Sequence, residues 1–305
     1  MKPVIEIEKL TKDYGAGRGI FDIDLRIEEG EAVGFVGTNG SGKTTTIRNI
    51  MGFLKPDSGQ ARVNGLEAWT HSSEIVGNIG YVPGEIAFPD LPTGTAFLRS
   101  QAEFLGVKDM AYADELVARL QLDPRAPLKR MSKGMKQKTA IVAALMADKP
   151  IIVLDEPTTG LDPLMRDAFL DIIREERKKG KTVFMSSHMF EELEQTCTRV
   201  AMIRNGRIVD IAVMKDIEKR PVKEFKIEFF SRMDYETFRR RGYKIVRLQP
   251  QYNQVTVEIG ALQINPLFSE LIGFNVKFIA EVKYNLERYF KEILEKEKEK
   301  GKNVQ

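Results

Sequence analysis

"GTNGSGKTT", Gly37 to Thr45, is the stretch whose reading decides the fold. It follows a short apolar run, Ala32 to Val36, and precedes Thr44 to Gly52, which reads as a helix stopped by glycine. Two glycines flanking four residues, then lysine and a hydroxyl residue, make a P-loop when they sit between a strand and a helix. Its residues Gly37, Thr38, Asn39, Gly40, Ser41 and Gly42 can turn their N–H groups inward at phosphate, and the helix N-terminus adds its positive end. Lys43 can reach the β- and γ-phosphates, and the Thr44 hydroxyl, with Thr45 beside it, can ligate Mg²⁺. The bland alternative is a glycine-rich turn with an incidental lysine.

Downstream, "IIVLDEP", Ile151 to Pro157, is an apolar strand that delivers Asp155 to the rim of a sheet, where Mg²⁺ would sit. Glu156 follows directly and is placed to polarise a water against a γ-phosphate. The alternative is an acidic pair answering a helix dipole. Together the two motifs indicate nucleoside triphosphate hydrolysis without choosing a family.

The rest of the chain frames these motifs. Alternation from Val4 to Leu10 and from Phe21 to Ile27 predicts half-buried strands, and the runs Ile151 to Leu154 and Thr182 to Met185 predict buried parallel strands. Leu164 to Lys179 reads as an amphipathic helix. Thr93 to Leu120 is helical in pattern, with Phe97, Phe104, Leu105, Leu116 and Leu120 expected buried, so a helical insertion is expected at about 90–148. The pattern changes near 211–221, dividing the chain into 1–215 and 216–305. The second part reads β-α-β-β-α-β, compatible with a small ferredoxin-like sandwich. A last helix would bury Leu286, Tyr289, Phe290, Ile293 and Leu294, and a charged tail after Lys296 is expected to fray.

Bulk properties narrow the partners. The 305 residues carry 47 basic and 44 acidic side chains, a formal charge of +3, too balanced to attract nucleic acid in bulk. One cysteine, Cys197, precludes an internal disulfide and suits a reducing compartment, the cytosol. No apolar run approaches the length of a membrane span, and the start reads as no signal segment.

The family is chosen by "MSKGMKQK", Met131 to Lys138, which resembles the signature sequence of ABC-type ATPases. Ser132 and Gly134 match its common form, LSGGQ; Lys133 and Met135 depart. Alone the stretch could be an ordinary N-capped helix. "TTGLD", Thr158 to Asp162, resembles the family's D-loop, and "SSH", Ser186 to His188, its switch histidine, one of only two histidines in the chain. Tyr14, before a glycine-rich bend, matches the aromatic that stacks on adenine, though a lone tyrosine can equally be packing.

The chain is therefore identified as resembling the ATP-binding subunit of an ABC transporter over about its first 210 residues. The resemblance implies an α/β P-loop ATPase domain with an antiparallel β subdomain and a helical subdomain, plus a small α+β C-terminal domain. It implies ATP and Mg²⁺ as ligands, Asp155 and Thr44 at the metal, and Glu156, His188 and Lys43 in catalysis. Asp162, Ser132 and Gly134 would face the nucleotide of a second subunit. The implied partners are integral membrane permease subunits and a homodimer or paralogous heterodimer, placed peripherally on the cytoplasmic face of the cell membrane, with an exporter role. The rivals are a soluble ABC-family ATPase acting on ribosome or nucleic acid, and a regulatory subunit with weak hydrolysis. One departure is conspicuous: "YVPGE", Tyr81 to Glu85, carries Gly84 where the family usually has a glutamine. The expectation is that ATP binding survives this change and that coupling to the partner is tuned by it.

Overall fold

A computed structural model describes residues 3–302, with the side chains of 261 and 297–302 excepted. The elements run β1 (Pro3–Asp13), β2 (Gly19–Glu28), β3 (Ala32–Val36), α1 (Lys43–Ile50), β4 (Ser58–Val63), β5 (Leu66–Glu67), α2 (Ser72–Gly77) and β6 (Ile79–Val82). Then come α3 (Gly94–Leu105), α4 (Ala111–Arg119), α5 (Lys133–Leu145), β7 (Ile151–Asp155), α6 (Pro163–Lys178), β8 (Thr182–Ser187), α7 (Phe190–Thr196), β9 (Arg199–Arg204) and β10 (Arg207–Val213). The remainder is α8 (Met214–Glu218), β11 (Val222–Phe229), α9 (Arg232–Phe238), β12 (Lys244–Gln249), β13 (Gln254–Gly260), α10 (Ile264–Leu271), β14 (Val276–Val282) and α11 (Leu286–Lys302). The chain divides into two compact units, one up to Met214 and one from Lys215.

In the first unit a six-stranded sheet has the order β10-β9-β3-β8-β7-β6, parallel except for the β9–β10 hairpin. β3 and β7 are buried at every position, because helices shield both faces of a parallel sheet and leave no room for alternation. Beside it an antiparallel sheet, β2-β1-β4-β5, alternates apolar and polar residues. Ile5, Ile7, Leu10, Ile20 and Ile23 of that sheet share one core with Phe35, Phe184 and the α1 residues Ile47 and Ile50. Each fully buried aliphatic side chain there contributes about 1.5–3 kcal/mol relative to exposure, so the core fixes the P-loop helix against two sheets.

Between β6 and β7 the chain inserts α3, α4 and α5. The expected single helical stretch is two helices, since Gly106 at φ 71° ends α3. Thr93 caps α3 through the Ala96 N–H. Phe97, Leu116 and Leu120 are buried as expected, but Phe104 is 83% exposed and corrects that expectation. It lies in the last turn of α3, where it reaches the rim of an open apolar groove instead of a covering element.

In the second unit the sheet order is β12-β13-β11-β14, antiparallel throughout, which is the order of a split β-α-β sandwich. Phe225, Ile227, Val255 and Val257 on one face pack with Tyr235 and Phe238 of α9 and Leu267 and Leu271 of α10. α11 buries Leu286 and Phe290, and Arg288 grips Glu224 of β11 with two hydrogen bonds. The fray expected after Lys296 gives way to helix as far as Lys302; residues 303–305 lie outside the described residues.

Candidate functional site

The carboxyl ends of β3, β8, β7 and β6 lie side by side, the place where open parallel sheets bind ligands. Register aligns them: Val36 stands opposite Ser187, and Asp155 opposite Ser186. The P-loop leaves β3, Asp155 ends β7, Ser186 and Ser187 end β8 ahead of His188, and Pro83–Gly84 follow β6.

The P-loop needs its glycines. A Cβ on Gly37 would sit 2.4 Å from Ser41 Oγ and 2.5 Å from the Ile203 carbonyl, and Gly42 adopts φ 114°. Thr38, Asn39 and Gly40 are exposed along the loop. Lys43, only 5% exposed, donates to the carbonyls of Gly37 at 2.7 Å and Thr38 at 3.2 Å. Its ammonium also lies 3.1 Å from Glu156 Oε1. The cleft of about 420 Å³ over this loop is lined by Tyr14, Asn39, Lys43, Thr44, Thr45 and Glu156, among others. Tyr14 is half-exposed there, free to offer a ring face.

Glu156 sits at φ 49°, a left-handed conformation unusual for a residue with a Cβ and costly by about 1–3 kcal/mol. Its N–H is held by the Ser186 carbonyl at 3.3 Å and the Ser186 hydroxyl at 3.1 Å. Its other oxygen lies 2.6 Å from His188 Nδ1. The turn points Glu156 toward the P-loop while Asp155 stays at the strand end, wholly buried. Burial, and next the Asp155 carboxylate, push the neighbouring Tyr81 hydroxyl up to about 12.

Two buried oxygens here have no partner, Ser41 Oγ and Asp155 Oδ2, while Glu156 Oε1 is met only by the Lys43 ammonium. An unmet buried acceptor is costly, and such an oxygen at the end of β7, with the Thr44 hydroxyl in the cleft wall, fits a polyphosphate with a hard cation, whose ligands are oxygens and water. Asp155 Oδ2 and Thr44 could hold Mg²⁺; the loop amides and Lys43 could hold the phosphates.

Gly84 answers to this packing. A Cβ there would stand 2.9 Å from Asp155 Oδ2, so the loop approaches the carboxylate more closely than a side chain permits. Glu85 is exposed.

Other expected site residues lie apart from the cleft lining. Ser132 caps α5 by accepting the Met135 N–H at 3.2 Å, and Asp162 caps α6 by accepting the Met165 N–H at 3.0 Å; both are exposed. Gly134 packs on the Gly160 carbonyl, where a Cβ would approach to 2.7 Å, so the MSKG and TTGLD segments touch each other. The sequence reading missed Glu192. Its carboxylate, 1% exposed, accepts from Thr158 and Ser187 at 2.7 Å each, tying the segment after Glu156 to the strand end before His188.

Among the described residues no helix is long and apolar enough to cross a membrane. The ABC transporter family profile matches residues 20–159. The bacitracin transport ATP-binding protein BcrA of Bacillus licheniformis is 31% identical over 92% of this chain and 98% of its own length. A solved ATP-binding subunit of an ABC transporter superposes with a TM-score of 0.64 at 29% identity, covering 71% of this chain and 92% of that one. The dimeric bacterial ABC transporter cassette MJ0796 shares the fold, with a TM-score of 0.62 at 24% identity over 69% of this chain and 98% of that one. With the P-loop, Asp155–Glu156 and His188 gathered on one sheet edge, the chain belongs to the ABC transporter ATP-binding family and is an ATPase of that family.

Proposed function

We propose that this chain powers an ABC exporter: two copies, or one copy and a paralogue, close around two ATP molecules at the cytoplasmic face of the cell membrane and drive an integral permease. The observation that carries the reading is that Glu156, in the wall of the cleft, meets Lys43 through one oxygen and His188 through the other.

In that cleft Lys43 exchanges its carbonyl partners for β- and γ-phosphate oxygens, and Tyr14 stacks on the adenine. Thr44 and Asp155 would hold Mg²⁺, which when bound would spread the charge of the departing γ-phosphoryl group. Glu156, relieved of Lys43, orients the attacking water and accepts its proton. His188, at 2.6 Å, keeps the Glu156 carboxylate turned toward that water. Ser132 and Gly134 stand outside the cleft that Lys43 lines, which supports their facing a second subunit's ATP, with the α5 N-terminus supplying its positive end.

A groove of about 230 Å³, lined by Tyr81, Pro83, Phe88, Phe97 and Phe104, supports docking of an apolar segment from the permease beside Gly84. Similarity along nearly the whole of a bacitracin transport subunit supports export of peptide-antibiotic cargo.

The test is gentle solubilisation of source membranes and purification of this chain with whatever accompanies it. The expected companion is a stoichiometric polytopic membrane protein that raises the ATPase rate. Recovery with ribosomes or DNA, or with no membrane protein, would overturn the reading.

A further inference from the structure

We propose that Ser186 is a positioning residue for the metal, an inference that rests on reading the cleft as a magnesium–ATP site. β8 runs Thr-Val-Phe-Met before it, and a hydroxyl at the end of such a strand, wholly buried, is costly unless it is bonded. Ser186 Oγ has two bonds. It donates to Asp155 Oδ1 at 2.7 Å and accepts the Glu156 N–H at 3.1 Å.

Its donation makes the two oxygens of Asp155 unequal. Oδ1 is engaged by Ser186, while Oδ2 is buried without a partner against Gly84. Rotating the carboxylate would break the Ser186 bond, so the hydroxyl locks the plane in which Oδ2 is presented. Its acceptance of the Glu156 N–H holds the left-handed turn that aims the catalytic carboxylate. One hydroxyl thereby sets the orientation of the metal-holding aspartate relative to the glutamate, a task that no neighbouring donor duplicates for Oδ1 among the described residues.

The test uses the purified full chain, trinitrophenyl-ATP fluorescence and MgCl₂, comparing wild type, Ser186→Ala, Ser186→Thr and Asp155→Asn. Binding in EDTA should be the same in wild type and Ser186→Ala, showing an intact cleft. The MgCl₂ midpoint for the fluorescence change should rise about tenfold in Ser186→Ala, the scale of one hydrogen bond to a charged group. Ser186→Thr, which keeps the hydroxyl, should restore it. Equal weakening of Ser186→Ala with and without magnesium would overturn the proposal, because the role would be general packing. A midpoint that Asp155→Asn shifts and Ser186→Ala does not would overturn the Ser186 assignment alone. No magnesium response in the wild type would overturn the metal reading and this inference with it.

Discussion

At its C-terminal end α6 surrounds the buried carboxylate of Glu176 with donors, whereas in the segment ahead of its N-terminal end Asp155 keeps a buried oxygen, Oδ2, that no donor reaches. Glu176 is 0% exposed and accepts from the Tyr112 hydroxyl and the Lys179 ammonium at 2.7 Å each, and from Lys181. Burial opposes its charge, but those three donors outweigh burial and hold Glu176 below its usual range. Tyr112 belongs to α4, so this cluster fastens the helical insertion to α6, with Arg119 and Glu175 forming a forked pair alongside. The satisfied carboxylate is structural; the buried oxygen of Asp155 left without a donor calls for a ligand.

Replacing Glu176 tests that contrast most heavily. Glu176→Ala leaves the half-buried Tyr112 hydroxyl without its acceptor and the buried Lys181 with Asp148 alone, and should destabilise the fold by about 1–3 kcal/mol in denaturant unfolding. The pH dependence follows from the lowered folded value. Stability from Glu176 is present above its ordinary value of 4.5 and is lost as pH falls below it through the folded value, so wild type and Glu176→Gln should converge in melting temperature at acid pH. Equal stability of the two at neutral pH would break the comparison.

At the other end, adding atoms should cost function more than stability. Gly84→Ala places a Cβ 2.9 Å from Asp155 Oδ2 and should raise the magnesium requirement of ATP hydrolysis, while unfolding shifts by about 1 kcal/mol or less. A melting loss as large as that of Glu176→Ala would show that the Gly84 contact is ordinary core packing.

Much of this was legible in the sequence, for local reasons. The P-loop, the IIVLDEP strand and the SSH strand end each announce themselves within ten residues, and the register of parallel strands does the rest. Other features depended on distant neighbours. The β9–β10 hairpin turns at Asn205–Gly206, both at positive φ, a dipeptide suited to a tight hairpin that the surrounding charges obscured. β4 and β5 carry few apolar residues because they complete a sheet that β1 anchors. Phe104 obeys the helical spacing of Phe97 yet stands at a groove rim, which periodicity cannot distinguish from a core. Ser186 and Glu192 gain their meaning from partners up to 34 residues away, so no local pattern reveals them.

The central proposal is that the cleft holding Lys43 and Glu156 hydrolyses ATP and that a second ATPase subunit, in the simplest case another copy, completes its site. It is tested most directly by measuring phosphate release and sedimentation of wild type and Glu156→Gln with magnesium and ATP. The account predicts that Glu156→Gln loses about 10²–10³-fold in hydrolysis and sediments as a dimer with ATP and as a monomer with ADP. Hydrolysis at the wild-type rate, or a monomer in ATP, would contradict it.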